Sequence, residues 1–106
     1  MPKYLFQASY TTTGAKGVLK DGGVKRRAMV EELASGLGGN LETFYFAFGD
    51  TDVFTIMDLP DDVASAAATL AINASGAVNC KTTVLLAAED IDRATKKIVE
   101  YRSPGT

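Results

Sequence analysis

No histidine occurs among the 106 residues, and cysteine occurs once. The first absence excludes Ser-His-Asp and Cys-His catalysis and any zinc or haem held by imidazole. The second excludes an intramolecular disulfide and a cysteine-rich metal site. An excess of positive charge is missing too. With 11 Lys and Arg against 13 Asp and Glu, the chain lacks the clustered cations that phosphate neutralisation needs, so nucleic acid is not an expected partner. No apolar run follows Met1-Pro2-Lys3-Tyr4, so no secretory signal is read there and the expected location is the cytoplasm. What remains is an ordinary globular composition, 46% hydrophobic and 23% charged, at a length suited to one domain.

The first strong pattern is alternation. Over residues 3–11, Tyr4, Phe6, Ala8 and Tyr10 share one side, which predicts a strand. Thr12 to Gly23 is polar and glycine-bearing and predicts a long loop with at most one short helical turn. From Val24 to Leu37 the spacing becomes helical, with Met29, Val30, Leu33, Ala34 and Leu37 on one stripe and Gly38-Gly39 as its stop. Arg26 lies in line with that stripe. A guanidinium at the edge of an apolar face needs a partner or a route to water. Leu41 to Phe48 and Asp52 to Leu59 read as an antiparallel hairpin about Gly49-Asp50-Thr51. The first of these strands puts Phe44, Phe46 and Phe48 on one side and Leu41, Tyr45 and Ala47 on the other. The second sets Val53, Thr55 and Met57 against Phe54 and Ile56. Both faces carry large apolar groups, yet the chain's own helices normally cover only one.

Leu59-Pro60-Asp61-Asp62 opens a second helix with acids at its positive end. The 18 residues from Val63 to Cys80 carry no charge, which meets the length test for a membrane helix. Alanine is only weakly apolar, however, and Asn73, Ser75, Gly76 and Asn79 interrupt the run. The better reading is a helix on the sheet, with Ser65, Thr69 and Asn73 as its only polar stripe and its uncharged outer side partly covered by contacts beyond a dimer. Val78 to Leu86 is a fourth strand. Glu89-Asp90 begins a third helix with Ile91, Ala94 and Ile98 on one face. The order β-α-β-β-α-β plus a C-terminal helix is α+β and ferredoxin-like. It predicts one domain over residues 1–100 and a tail over 101–106.

At the hairpin and the helix after it, Phe44-Tyr45-Phe46-Ala47-Phe48-Gly49-Asp50-Thr51-Asp52-Val53 and Met57-Asp58-Leu59-Pro60-Asp61-Asp62 together resemble the GYD domain family. Further matches are Pro2, Tyr4, Tyr10-Thr11, Gly14, Lys16, Arg26 and Gly38-Gly39. The resemblance spans about residues 2–92. Gly49 and Asp52 match the turn that names the family, while Thr51 stands where its tyrosine usually stands. The resemblance implies a ferredoxin-like fold of the dimeric α/β barrel group, in which two sheets face each other across a two-fold axis. The second apolar face would then be covered by a partner chain. It brings no settled activity. The hairpin is also similar to the effector domain of leucine-responsive (Lrp/AsnC-type) regulators. Because this chain opens on its first strand, the expectation is a domain without their helix-turn-helix.

Five residues stand out as ligand-binding candidates: Tyr10, Lys16, Arg26, Tyr45 and Asp52. Arg26 and Lys16 suit an anionic ligand at a cavity mouth, or else surface ion pairs. Tyr10 and Tyr45, with Tyr4, offer hydroxyls on aromatic faces, or else pack in a core. Asp52 with Asp50 is a carboxylate pair in a turn, equally suited to binding nearby backbone amides, and too few for a metal. Cys80 has no imidazole to activate it and reads as an inert thiol. No cofactor and no metal are expected, and no catalytic residue is assigned. The leading expectation is a homo-oligomer, dimer or larger, that binds a small molecule between sheet and helices or between subunits. The alternatives are a cofactor-free enzyme of monooxygenase or isomerase type, with Tyr10, Arg26 and Asp52 as residues to inspect, and a purely structural assembly subunit.

Overall fold

The structure, a computed structural model, describes all 106 residues. Four strands form one antiparallel sheet: β1 (Lys3–Tyr10), β2 (Asn40–Phe46), β3 (Val53–Asp58) and β4 (Val78–Leu85). Their order is β2-β3-β1-β4, the ferredoxin-like arrangement with the first strand inside the sheet. Helices α1 (Thr12–Asp21) and α2 (Gly23–Gly36) join β1 to β2, α3 (Asp62–Ala74) joins β3 to β4, and α4 (Ala88–Thr95) follows β4. None is long and apolar enough to cross a membrane.

Alternation sorts the sheet as the sequence implied. Tyr4, Phe6 and Met57 lie on the helix side and are fully buried with Leu59. From α2, Ala34 is buried and Val30, Leu33 and Leu37 pack against that core, while Ala68 closes it from α3. One assignment needs correction. Leu41 was expected opposite Phe44, but a register shift between Leu41 and Thr43 adds a residue to β2. A bulge of this kind flips the side-chain sense. Leu41 therefore pairs with Met57 and packs on the same core.

Helix α1 replaces the loop expected over Thr12 to Gly23. Its glycines weaken helix propensity by about 1 kcal/mol each, so the local signal is poor. Anchoring supplies what propensity lacks. The Thr11 hydroxyl accepts from the Gly14 amide at 3.3 Å and donates to the Gly76 carbonyl at 2.9 Å, and the Thr11 amide donates to the Ala77 carbonyl at 3.0 Å. Gly14 is what lets the helix approach so closely, because a Cβ there would run into the Ala77 carbonyl oxygen.

Helix α3 has its polar stripe facing the sheet. Ser65 is buried, Thr69 Oγ1 shares a 2.6 Å hydrogen bond with Thr82 Oγ1, and Asn73 grips Cys80 twice. Its Nδ2 donates to the Cys80 carbonyl at 3.2 Å, and its Oδ1 accepts from the Cys80 amide at 2.6 Å. These bonds occupy backbone groups of an edge strand. The outer side of α3 stays in solvent, with Val63 at 76% and Leu70 at 71% exposure. The last helix also ends sooner than its apolar spacing suggested. It stops at Thr95, and Ile98, Val99 and Tyr101 extend beyond it as exposed chain without regular structure.

Two alanine substitutions three residues apart in α1 have opposite expected signs. At Gly17 a Cβ meets nothing within 4 Å, so Gly17→Ala raises stability by about 0.5–1 kcal/mol through helix propensity. Gly14→Ala lowers it by about 1–3 kcal/mol, because backbone must move. Urea unfolding of the two variants beside the parent chain checks both signs.

Candidate functional site

Where α1, α2 and the end of the sheet meet, an internal space opens. A cavity of ≈130 Å³ lies among Tyr10, Val18, Arg26, Met29 and Val78, with Gly14 and Gly17 in its α1 wall. A narrower void of ≈30 Å³ continues under it toward Phe6, Val30 and Thr55 and shares Tyr10, Arg26 and Val78. On the outside a more open groove of ≈400 Å³ runs from Tyr10 and Val18 to Phe46, Phe48 and Asp52. Tyr10 lines all three. The largest depression, ≈750 Å³, lies elsewhere, between α4 and the end of β4. That one is an open surface trough holding no buried unpartnered polar atom, so size does not make it the site.

The charge at the centre of the smaller cavities is Arg26. Ten of the eleven Lys and Arg side chains are exposed, and Arg26 is the exception. Its Nε is buried without a hydrogen-bond partner. No carboxylate lies within ion-pair distance of it, and Asp21, in the same cavity wall, is 3.5 Å from the Lys25 ammonium instead. Burying a cation costs free energy unless something of opposite polarity compensates it.

The other sequence candidates disperse. Asp52 reaches the groove rim, and its Oδ2 accepts from the Tyr10 amide at 2.8 Å. Its backbone accepts from Ala47 at 2.7 Å and donates to Ala8 at 2.8 Å. It therefore fixes the end of β1 beside the cavity. Lys16 is exposed on α1 and lines none of the three spaces. Tyr45 is on the opposite face of the sheet, paired with Phe54 and 69% exposed. The structure thus brings together Tyr10 and Arg26, with Asp52 as their neighbour. Nothing local in the sequence marks Val18, Met29 or Gly17 as cavity lining, because the glycines around Val18 and Gly17 favour loop over the helix that carries them. Thr51 lies with Gln7, Ser9 and Cys80 in a polar recess away from Arg26.

Two further groups are accounted for by structure. Tyr4 is buried, and its hydroxyl donates to Asp62 Oδ1 at 2.7 Å. Burial first, and then that bond to a carboxylate, push its pKa up to about 12. The Cys80 thiol is likewise pushed above its ordinary value by burial, only partly offset by a hydrogen bond with Thr82.

The family model of the GYD domain matches residues 4–95. No curated protein and no solved structure matches the chain.

Two solution measurements follow from these groups. Between pH 10 and about 12 an unfolded chain releases the Tyr4 proton that the folded chain retains. Stability therefore falls as pH rises through that window and is unaffected by this group below it. Tyr4→Phe removes this component, as denaturation midpoints across alkaline pH will show. At pH 8 Cys80 reacts with iodoacetamide more slowly than free cysteine, since the thiolate is the nucleophile; an equal or faster rate refutes the burial argument.

Proposed function

This chain belongs to the GYD domain family, and from that premise we propose a homo-oligomeric protein that binds one small organic molecule in the cavity beneath α1 and α2. The observation that carries the proposal is Arg26: the chain's one half-buried cation, with its Nε buried and unpartnered, set in an otherwise mainly apolar wall. Binding sites are commonly apolar concavities with a few convergent polar groups. The size supports a compact ligand. An apolar cavity of about 150 Å³ holds benzene, so ≈130 Å³ suits a single ring, with the groove beyond Tyr10 available to a substituent.

Self-association rests on the uncovered side of the sheet. Leu5, Ile56, Phe54 and Tyr45 form an apolar band there, with Phe54 at 38% exposure. Only 11 of 106 residues are buried. The radius of gyration is 16.8 Å, against roughly 13 Å for a compact chain of this length, with the extended stretch after Thr95 contributing to the excess. A two-fold pairing of these faces encloses a barrel between two sheets and is the simplest closed arrangement. The uncharged outer side of α3 is a second apolar surface and would serve a larger assembly.

Native mass spectrometry at micromolar concentration is expected to show a dimer or larger species, and Phe54→Glu to shift it toward monomer. A monomeric parent chain overturns the assembly reading. For the ligand, benzyl alcohol titrated to millimolar concentration should shift the amide resonances of Tyr10, Val18, Met29 and Val78. Gly17→Leu, which puts a large side chain and a good helix former at the cavity wall, should diminish those shifts while the chain stays folded. Shifts absent from these residues, or unchanged by Gly17→Leu, overturn the binding reading.

A further inference from the structure

Resting on the cavity reading above, we infer that the ligand is a small monocyclic acid: one apolar ring carrying a single anionic oxygen group that pairs with Arg26. Three observations converge. The first is the missing counter-charge. Arg27, Lys25, Lys3 and Arg93 each have a carboxylate partner, although all four are exposed and need none. Arg26, the one half-buried cation and the one whose Nε is cut off from water, has none. A neutral guest would leave that charge uncompensated while removing its remaining water. An anionic oxygen supplies both the charge and the acceptor that Nε lacks, and guanidinium presents a planar fork that matches a carboxylate.

The second observation is the setting of the charge. Arg26 lies in the first turns of α2, which begins at Gly23 with no capping side chain and no acidic residue. The positive end of that helix dipole lies near Arg26 and adds to its attraction for an anion, and the carboxyl end of α1, which stops at Asp21, offsets part of that field. Asp21 is the opposing influence, since it lines the same cavity. Its carboxylate is already in the field of Lys25, so the pair leaves Arg26 as the net charge of the site.

The third observation is size and polarity. Apart from Arg26 and Asp21, the wall is Tyr10, Val18, Met29, Ala77 and Val78, with glycines and one threonine. One ring fills ≈130 Å³, and no second cation lines the cavity. A dianion such as a phosphate monoester would meet a single guanidinium and keep one charge unpaired, which disfavours it.

Benzoate and its neutral isostere benzamide separate the charge from the ring. Isothermal titration, with amide shifts to locate binding, is expected to give benzoate at least about tenfold tighter than benzamide. Arg26→Gln should weaken benzoate about tenfold and leave benzamide within about threefold. Asp21→Asn, which removes the like charge, should tighten benzoate and not benzamide, a response that a merely structural role for Arg26 does not produce. Arg26→Lys keeps the charge and guards against a fold failure in the glutamine variant: it should retain part of the preference for benzoate. Equal binding of the two probes at this cavity, or a preference unmoved by Arg26→Gln and Asp21→Asn alike, overturns the acid assignment while leaving the cavity reading intact. Binding of neither probe, with benzyl alcohol also silent, overturns the cavity reading and this inference with it.

Discussion

A four-stranded sheet presents two faces, and the helices of this chain reach only one. Tyr4, Phe6 and Met57 are closed over by α2 and α3, whereas Phe54 and Tyr45 on the reverse remain in solvent. Burial of apolar area is the dominant stabilising term in folding, at roughly 25 cal/mol per Å². A domain with so few buried residues therefore leaves much of its available stabilisation unused as a single copy. The reverse face is not uniformly apolar. Its band of Leu5, Ile56, Phe54 and Tyr45 gives way to Gln7, Ser9, Lys81 and Thr83 toward β4 and the far end of β1. At the near end Lys3 bridges Asp58 at 2.8 Å and Glu42 at 3.2 Å. The bond to Lys3 holds the Asp58 carboxyl below its ordinary range. The reverse face thus carries a central apolar band between polar ends.

How much of this was legible in the sequence depends on which force sets each feature. The strands were legible because alternation is local and the sheet enforces it: Tyr4, Phe6, Ala8 and Tyr10 keep one side throughout. Leu41 was not, because a bulge changes the count without leaving a mark in the residue pattern. Helix α1 was not, because its stability comes from Thr11 and from the close approach of Gly14 to Ala77, two contacts distant in sequence. The end of α4 was overestimated, because Ile98 continues an apolar spacing that the chain does not continue as helix. In the site, Arg26 was legible as a charge out of place on an apolar stripe. Lys16 and Tyr45 were chosen for their chemistry alone, and topology put them on other surfaces.

The polarity of α3 shows the same competition. Amphipathic reasoning places the polar stripe of a helix toward water. Here Ser65, Thr69 and Asn73 turn inward, because β4 is an edge strand with backbone groups in need of partners, and Asn73 satisfies both of those on Cys80. With that stripe turned to the sheet, the outer side of α3 carries Ala66, Ala67 and Ala71 together with the exposed Val63 and Leu70.

The site inherits these constraints. Its walls are set by backbone contacts: Thr11 to Ala77, Asp52 to Tyr10, and the carbonyl of Ala77 against Gly14. Two of these depend on particular residues, the Asp52 carboxylate and the missing side chain of Gly14, so the cavity's position rests on them as well as on the backbone. No carboxylate of the chain pairs with the Arg26 charge where it stands. A leucine on that stripe would pack on the same core, and an exposed arginine would find water or a carboxylate as the chain's other cations do. A half-buried guanidinium whose Nε has no partner, set beside a ring-sized space, runs against stability on its own, and a bound acceptor would offset that cost.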